Sequence, residues 1–327
     1  MMTKEAIKPV PKLEAVIIQK REGPSLAIIG GGIAGLSAGI YAMRMGINTI
    51  LIETAMPGGV ATNAPLIENY PGFPNGISGT DLAAAFEEQA KNLGLEINYG
   101  TVKSLTLEND RKKIVYDEDK MLFVRSVIVA TGTESKKLGI KGEEELLGRG
   151  VSYCATCDAP FYKDKKVLVI GGGNSALEEA LFITNFAASV TVVHRRSTLR
   201  ADKILEMRAR NNPKIYFMWD SELEKIEGKD KVEAAKVLNN KTKKSTLVPC
   251  DGIFIYAGYS PNTSFLSGLL KTDEKGFIIT DEEMKTSVGG IFAAGDVRVK
   301  PLNQVITAAA DGAVAASSAR KYLEGLK

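Results

Sequence analysis

The 327-residue sequence predicts an α/β protein with two units of parallel β-sheet, the second inserted into the first. Three observations predict this fold class. The chain is longer than one ordinary domain. The segment LAIIGGGIAG at residues 26–35 recurs as VLVIGGGNSA at residues 167–176, an offset of 141 residues. Each copy is followed by a helical pattern and then by a second aliphatic run, NTILIE or SVTVVH, and this order of elements is typical of a βαβ unit.

The glycines of the repeat match the G-x-G-x-x-G/A pattern of Rossmann-like dinucleotide sites. They are Gly30, Gly32 and Gly35 in the first copy, and Gly171, Gly173 and Ala176 in the second. The first glycine permits a tight turn, the second lets the backbone approach a pyrophosphate, and the third small residue lets the helix pack on the strand. The N-terminus of the helix then donates N–H groups to the phosphates. We therefore predict two dinucleotide sites.

The end of the second strand in each repeat distinguishes the two sites. The residue that binds the adenosine ribose lies about 20 positions beyond the glycines. In the first copy this residue is Glu53, whose carboxylate accepts hydrogen bonds from ribose hydroxyls and repels a phosphate. The second copy has His194 there, followed by three arginines, Arg195, Arg196 and Arg200. Because arginine binds phosphate bidentately, the first site is predicted to take an unphosphorylated adenosine, as in FAD or NAD, and the second NADP(H).

Composition limits the other functions of the chain. A net charge of +3, from 42 basic and 39 acidic residues, disfavours nucleic acid as the main partner. Residues 23–43 carry no charge, but the glycines at positions 30, 31, 32, 35 and 39 favour a strand, a turn and a helix over a membrane span. Residues 1–24 lack the apolar core of a secretory signal. Three cysteines fit a reducing compartment, and we expect a cytoplasmic protein.

Each half of the chain ends in an aliphatic strand that runs into a turn of small residues, Ala130, Thr131 and Gly132 in the first half. The later segment GGIFAAGDV at 289–297 places Asp296 at a glycine turn, where it suits a second contact with a cofactor. We therefore expect the C-terminal residues to return to the first unit. The predicted bounds are an N-terminal extension at 1–24, a first nucleotide-binding domain at 25–132 and 263–327, and an inserted domain at 133–262.

The segment SYCATCDAPFY at residues 152–162 contains a Cys-x-x-Cys pair, Cys154 and Cys157. Zinc is disfavoured, because the further ligands of a Cys₃His set, His194 and Cys250, follow at spacings of 37 and 56 residues and have other roles. A purely structural disulfide would close too short a loop to stabilise the fold much. Redox chemistry is the usual role of this motif. Asp158 is the best candidate for the acid that protonates the leaving thiolate, and a helix N-cap is its structural alternative.

In combination, the motifs SYCATCDAPFY, GGGNSALEEALF, VHRRSTLRA and FAAGDV resemble the low-molecular-weight thioredoxin reductases of the pyridine nucleotide–disulfide oxidoreductase superfamily. The resemblance runs from about residue 25 to the C-terminus. It implies FAD in the first site, NADPH in the second, a homodimer, and thioredoxin or a thioredoxin- or glutaredoxin-like protein as partner. It also implies that Cys157 faces the flavin, that Cys154 exchanges with thioredoxin and that Asp158 donates the proton.

The resemblance further implies the residues that contact each cofactor. Those for FAD are Gly30, Gly32, Ile33, Ala34, Gly35, Glu53, Gly59, Val60, Asn69, Ala130, Thr131, Gly132, Gly295, Asp296, Asn303, Gln304 and Val305. Those for NADPH are Gly171, Gly173, Asn174, Ser175, His194, Arg195, Arg196 and Arg200. Val60 and Asn303 depart from the glutamine and arginine that are usual in the family, which puts the environment of the flavin in doubt.

The expected cycle passes a hydride from NADPH to FAD and then reduces the Cys154–Cys157 disulfide, after which Cys154 attacks the disulfide of the partner. Since the cysteines and the NADPH site share the inserted domain, we expect that domain to rotate between two arrangements. An alternative enzyme would pass electrons to oxygen or to a peroxidase system. A non-catalytic protein that senses nucleotides is the third hypothesis, which the intact CATCD motif disfavours.

Overall fold

The computed structural model describes residues 23–326. Almost all of the predicted N-terminal extension, 1–24, lies outside these residues. Within the described chain, none of the helices combines the length and the apolar character needed to span a bilayer.

Eighteen strands and six helices make up the described chain. The strands are β1 (Leu26–Ile29), β2 (Thr49–Glu53), β3 (Glu96–Tyr99), β4 (Val102–Glu108), β5 (Arg111–Tyr116), β6 (Lys120–Val124), β7 (Ser126–Val129), β8 (Thr133–Ser135), β9 (Val151–Ser152), β10 (Lys166–Ile170), β11 (Ser189–Val193), β12 (Ile215–Met218), β13 (Ser221–Glu227), β14 (Ala234–Asn239), β15 (Ser245–Pro249), β16 (Gly252–Ile255), β17 (Tyr259–Pro261) and β18 (Ile291–Ala293). The helices are α1 (Ile33–Arg44), α2 (Gly79–Asn92), α3 (Ala155–Asp158), α4 (Asn174–Ile183), α5 (Lys203–Asn211) and α6 (Val305–Glu324). Short 3₁₀ helices lie at Gly59–Asn63, Ala159–Tyr162, Ser264–Leu266 and Gly295–Val297.

The first unit is built on a five-stranded parallel sheet in the order β18-β7-β1-β2-β3. Its central strand β1 is a fully aliphatic run whose side chains are buried, as expected for a strand covered on both faces. Strand β18 joins the edge of this sheet although it follows the whole second sheet in sequence. The C-terminal segment therefore completes the first sheet, and an antiparallel ribbon of β4, β5 and β6 accompanies it.

The second unit repeats the design with a parallel sheet in the order β12-β11-β10-β16-β9. Strands β10 and β11 flank helix α4 in sequence as β1 and β2 flank α1. An antiparallel ribbon of β13, β14 and β15 again accompanies the sheet. The predicted α/β class, with one Rossmann-like unit inserted into another, is confirmed.

The two chain segments that connect the units run side by side. Strands β8 and β17 pair in antiparallel fashion, with Thr133 opposite Pro261. Next to this pair, the Thr131 hydroxyl donates to the Asn262 carbonyl at 2.7 Å, and the Asn262 side-chain amide donates to the Thr131 carbonyl at 3.0 Å. The domain bounds at 133 and 262 stay a prediction, and they fall at this ribbon.

Helices α1 and α6 pack closely against one face of the first sheet. A side chain at Gly312 of α6 would collide with the Ala34 carbonyl of α1, so a glycine is needed for the two backbones to approach. Their shared core contains the buried side chains of Leu36, Ile128 and Phe292. This packing fixes the N-terminus of α1, and with it the first glycine loop.

Candidate functional site

The first glycine loop is enclosed by backbone at the end of β1. Gly30 has φ +102°, and a Cβ there would lie 2.7 Å from the Ala130 carbonyl carbon, so the turn needs glycine. A Cβ at Gly35 would collide with the Gly30 carbonyl, which explains the third small position. Ile33 and Ala34 continue into α1 with buried side chains. The loop therefore exposes backbone without side chains at the start of a helix, as binding of a pyrophosphate requires.

Glu53 ends β2 directly beneath this loop. Its carboxylate accepts hydrogen bonds from the backbone N–H of Gly31 and, at 2.9 Å, from that of Ala55. These bonds fix the carboxylate beside the loop, where a ribose would lie. Gly59 packs against the same loop from the other side, since a Cβ there would stand 3.3 Å from Gly32 Cα. Val60 is exposed.

Asp296 lies in the 3₁₀ helix that follows β18, where the C-terminal segment approaches the first loop. Its Oδ1 atom is buried, and within residues 23–326 it makes no hydrogen bond. The nearest cation, Lys300 Nζ, is 3.5 Å away. Burial raises the pKa of this carboxyl, which Lys300 partly offsets. A buried oxygen with unused acceptor capacity fits a hydroxyl-bearing ligand such as the ribityl chain of FAD. Gly295 has φ +79° and packs against Ala34, which brings Asp296 close to α1.

Some of the other residues predicted to contact FAD contact each other, and one contacts a connection between the units. Asn69 Nδ2 donates to Gln304 Oε1 at 3.1 Å, so these two lie together although 235 residues separate them in sequence. Gln304 also caps α6 in a reciprocal capping box with Thr307, and Asn303 and Val305 flank it. Thr131, by contrast, donates its hydroxyl to the Asn262 carbonyl. The contacts of these residues with FAD remain predictions. The polar side chains gathered around the first loop, and the glycines there that leave no room for a Cβ, fit a bound FAD.

The second loop reproduces the first with one exchange. His194 occupies the place of Glu53: its imidazole lies against Gly172, as the Glu53 side chain lies against Gly31. The ring is 3% exposed, and Nε2 lies 3.1 Å from the Thr198 carbonyl oxygen. Burial lowers the pKa of this histidine, and the neighbouring arginines lower it further. His194 therefore supports the loop from beneath.

The three arginines that follow are exposed beside the second loop. The backbone N–H of Arg200 donates to the Gly172 carbonyl at 2.8 Å, which brings Arg200 back to the loop. Arg195 and Arg196 lie in the turn after β11. This arrangement fits a 2′-phosphate at the end of the strand where a carboxylate would have repelled it.

Two contacts around this loop were not anticipated. Asn174, predicted to bind NADPH, forms two hydrogen bonds of 2.8 Å with Asp202. Asn174 Nδ2 donates to Asp202 Oδ2, and the Asp202 N–H donates to Asn174 Oδ1. Ser175 Oγ accepts from Tyr259 Oη at 3.3 Å. Both partners lie far along the chain, and no local sequence signal marks them.

Cys154 and Cys157 form a disulfide at the start of helix α3. Cys154 is the N-cap of this helix, and its Sγ accepts a hydrogen bond from the Cys157 N–H at 3.2 Å. Cys154 is half-buried and Cys157 is exposed. Cys250 is separate from the pair and buried, and burial raises the pKa of its thiol to about 12, which makes it unreactive. Among residues 23–326, His, Cys, Asp and Glu side chains form no cluster of three that could hold a metal ion.

Asp158 is the last residue of α3 and is half-buried. It precedes the 3₁₀ helix Ala159–Tyr162, but its side chain makes no capping hydrogen bond there. The structural alternative of an N-cap therefore does not account for this carboxylate. Its place beside the disulfide is compatible with a role in proton transfer.

Helix α3, here called the redox helix because it carries the disulfide, packs against the first unit. The Thr156 hydroxyl donates to the Asn63 carbonyl, and Cys154 Sγ lies 3.7 Å from Asn63 Oδ1. Nearby, Arg208 of α5 forms an ion pair with Glu68 at 2.5 Å. The segment between Gly59 and Asn69, which borders the first glycine loop, therefore also receives the disulfide of the inserted unit.

Glu179 of α4 is a further titratable group that the sequence analysis missed. Its side chain is 6% exposed, and among the described residues its Oε2 atom has no hydrogen-bond partner. Burial, with a smaller contribution from the charge of Glu178, raises the pKa of this carboxyl to about 8. At neutral pH the group is therefore protonated.

We predict that Glu179→Gln flattens the pH dependence of stability. The folded protein keeps a proton that the unfolded chain loses above its ordinary pKa of 4.5, so Glu179 lowers stability progressively as the pH rises from 4.5 to about 8. A glutamine at this position carries no charge, and the variant should be more stable than the parent by roughly 3 kcal/mol at pH 7, with the difference vanishing below pH 4.5. Urea unfolding across this range measures the difference. Replacing the exposed Glu88 by glutamine is the control, and an equal pH slope in parent and Glu179→Gln would contradict the prediction.

Comparison with known proteins identifies the family. A model of the pyridine nucleotide-disulphide oxidoreductases matches residues 24–312. A thioredoxin reductase of Listeria monocytogenes is 46% identical over 301 residues, which are 92% of this chain and 94% of that protein. The crystal structure of Lactococcus lactis thioredoxin reductase in its FR conformation is 46% identical, covers 92% of this chain and 99% of its own, and has a TM-score of 0.90. The crystal structure of thioredoxin reductase from Streptococcus pyogenes is also 46% identical. The match covers 92% of this chain and 98% of that one, with a TM-score of 0.62. The chain therefore belongs to the pyridine nucleotide-disulphide oxidoreductase family, in its thioredoxin reductase branch.

Proposed function

We propose that this protein is an NADPH-dependent, FAD-containing disulfide reductase that reduces thioredoxin or a closely similar redoxin. The observation that carries the proposal is the Cys154–Cys157 disulfide, which the inserted nucleotide-binding unit holds against the segment bordering the first glycine loop. The relatives support it, because they are named thioredoxin reductases and match this chain over nearly their whole length. No observation favours the alternative of an oxidase.

The chain's own residues support each part of the reaction. Bound FAD supplies the two-electron step between NADPH and the disulfide. Once reduced, Cys154 acts as a thiolate and attacks one sulfur of the thioredoxin disulfide, which forms a mixed disulfide and releases a thiolate on thioredoxin. Cys157 then attacks Cys154 Sγ, which restores the disulfide and frees the second thioredoxin sulfur. Asp158, beside the pair, protonates a departing thiolate.

We also propose that the inserted unit rotates about the paired strands β8 and β17. The disulfide and the second nucleotide loop both belong to that unit, and each must reach the same place in the first unit. Two solved relatives with equal identity to this chain and nearly equal coverage differ in TM-score, 0.90 against 0.62. Such a difference supports two arrangements of the same units, and hinge motions of this kind take microseconds to milliseconds.

The thioredoxin pathway is tested by replacing Cys154 with serine. The variant lacks the attacking sulfur, so anaerobic oxidation of NADPH by the FAD-loaded protein, with thioredoxin and a chromogenic disulfide, should fall by at least about a thousandfold. Cys250→Ala is the matched control and should retain turnover, because Cys250 is buried away from the pair. Turnover by Cys154→Ser that still depends on thioredoxin would contradict the proposal. Oxidation of NADPH in air without thioredoxin, at the parental rate, would favour the oxidase instead.

The NADPH site is tested by replacing Arg196 and Arg200 with glutamine together. Each guanidinium lost removes a charge-assisted hydrogen bond to the 2′-phosphate, so KM for NADPH should rise about 10- to 100-fold while KM for NADH stays the same. Reduction of the flavin by each nucleotide, followed by its absorbance, measures the change. Arg320→Gln, at the exposed end of α6, is the control. A parallel rise for both nucleotides would contradict the assignment of these arginines.

The resemblance also supports a homodimer, and the use of cysteine supports a cytoplasmic location. Helices α1 and α6 form an open groove of about 530 Å³ on the outer face of the first unit, where Tyr41 is 48% and Val314 is 38% exposed. An exposed apolar groove on paired helices suits the same surface of a second copy. Light scattering should therefore give about twice the chain mass of 35.1 kDa, and Tyr41→Lys with Val314→Glu should lower it. A monomeric parent would contradict the proposal.

A further inference from the structure

Lys300 lies in the segment between β18 and α6 and takes no part in the reaction described above. Its side chain is only 2% exposed, although lysine is ordinarily among the most exposed residues. Its Nζ atom lies 3.5 Å from Asp296 Oδ1 and 3.0 Å from Oδ2 of Asp311 in α6. Because burying a charge is costly unless it is paired, this lysine must be matched to one or both of these carboxylates.

Asp311 does not depend on Lys300 to balance its charge. The Arg298 guanidinium holds it in a bidentate pair, from Nε to Oδ2 at 2.9 Å and from Nη2 to Oδ1 at 2.8 Å. The backbone N–H of Gly295 also donates to Asp311 Oδ2, at 3.1 Å. Since the arginine already compensates Asp311, the charge of Lys300 is left to compensate Asp296.

Asp296 has one side against Lys300 and another side that a ligand can cover. Its Oδ1 atom is buried, whereas the side chain as a whole is 34% exposed. The other titratable groups that act on it are Asp311 and Tyr259 of β17. Burial raises the pKa of Asp296, Lys300 lowers it, and the charge of Asp311 raises it. A cofactor that covers this carboxyl removes water from it, and the nearby cation then interacts with it more strongly.

We propose that Lys300 is a positioning residue for FAD, because its buried ammonium group keeps Asp296 charged and in place where the cofactor is predicted to reach it. A charged carboxylate accepts a stronger hydrogen bond from a hydroxyl group than a protonated one does. Lys300 therefore strengthens the binding of FAD through Asp296. The inference rests on the proposed function, since it concerns the predicted FAD site.

The test is Lys300→Met, which removes the charge and nearly keeps the volume of the side chain. Flavin fluorescence measures the dissociation constant of FAD for the full chain prepared without cofactor, between about pH 5 and about pH 9. Affinity that depends on the Asp296 carboxylate is present above the pKa of that group and is lost as the pH falls through it. An opposite charge nearby lowers the pKa of a carboxyl by about one to three units, so the loss of affinity should begin about that much higher in pH in the variant.

The size of the effect should therefore depend on pH. At pH values below both transitions, the dissociation constant should be about 10-fold or more higher in Lys300→Met than in the parent, since one pKa unit is a tenfold change. Towards the highest pH the two proteins should converge. A purely structural loss would instead weaken binding by the same factor at every pH.

Three further variants separate the charge of Lys300 from its other contacts. Lys300→Gln keeps a donor for Asp311 but carries no charge, so it should reproduce the shift. In Asp296→Asn no carboxylate is left to compensate, so adding Lys300→Met should cause no further pH-dependent change. Lys275→Met, at an exposed lysine, should behave as the parent does.

The inference would be overturned by rescue of FAD binding in Lys300→Gln, or by an equal effect of Lys300→Met in the Asp296→Asn background. Unchanged binding in Lys300→Met, or weakening by one factor at all pH values, would overturn it too. Urea unfolding shows that each variant compared is folded. Failure of the parent chain to bind FAD would overturn the proposed function as well, and this outcome is distinct from parental binding of FAD by the Lys300 variants.

Discussion

The constraint on which the rest of this structure depends is that one rigid unit holds both the disulfide and the second nucleotide loop. Helix α3 packs on the core beside α4, and α4 begins at the glycines of that loop. Neither can move without the other. Every other feature of the site follows, including the narrow connection between the units, the contacts of Asn63 with the redox helix and the ion pair of Glu68 with Arg208. All three lie where the units meet. The contacts of Asn63 and Glu68 are non-covalent, so breaking them would disrupt neither core.

The sequence allowed prediction of those features that depend on residues close together in the chain or on the repeat. The glycines of each loop are dictated by contacts with nearby backbone or with the adjacent strand, and their spacing is visible in the chain. The place of His194 is visible too, because the repeat assigns it to the position of Glu53. What the repeat does not reveal is that the imidazole is buried against the loop. Burial depends on how the turn from Arg195 to Arg200 folds back, which a strand pattern does not encode.

Residues whose role arises from packing between distant segments were missed. Tyr256, whose hydroxyl oxygen accepts a hydrogen bond from the Ala155 N–H, lies 101 residues from Ala155 in sequence, and only the sheet order β10-β16-β9 brings the two together. Glu179 has the sequence context of an ordinary polar position on an amphipathic helix, although its side chain is buried in the folded protein. Arg208 and Glu68 are 140 residues apart and belong to different units. Such pairs are properties of topology, and a single sequence carries no periodic signal for them.

The side-by-side connections at Thr131 and Asn262 have a consequence for the history of the fold. The chain leaves the first unit and returns to it at nearly the same point, where a few hydrogen bonds hold the two connections together. For the first sheet, which acts as the host, the insertion is therefore equivalent to a loop whose ends lie close together. The entropy lost in closing such a loop grows only slowly with the number of residues inside it. A complete second nucleotide-binding unit could therefore be acquired, enlarged or exchanged as one cassette. The strand order of the host sheet would be preserved throughout.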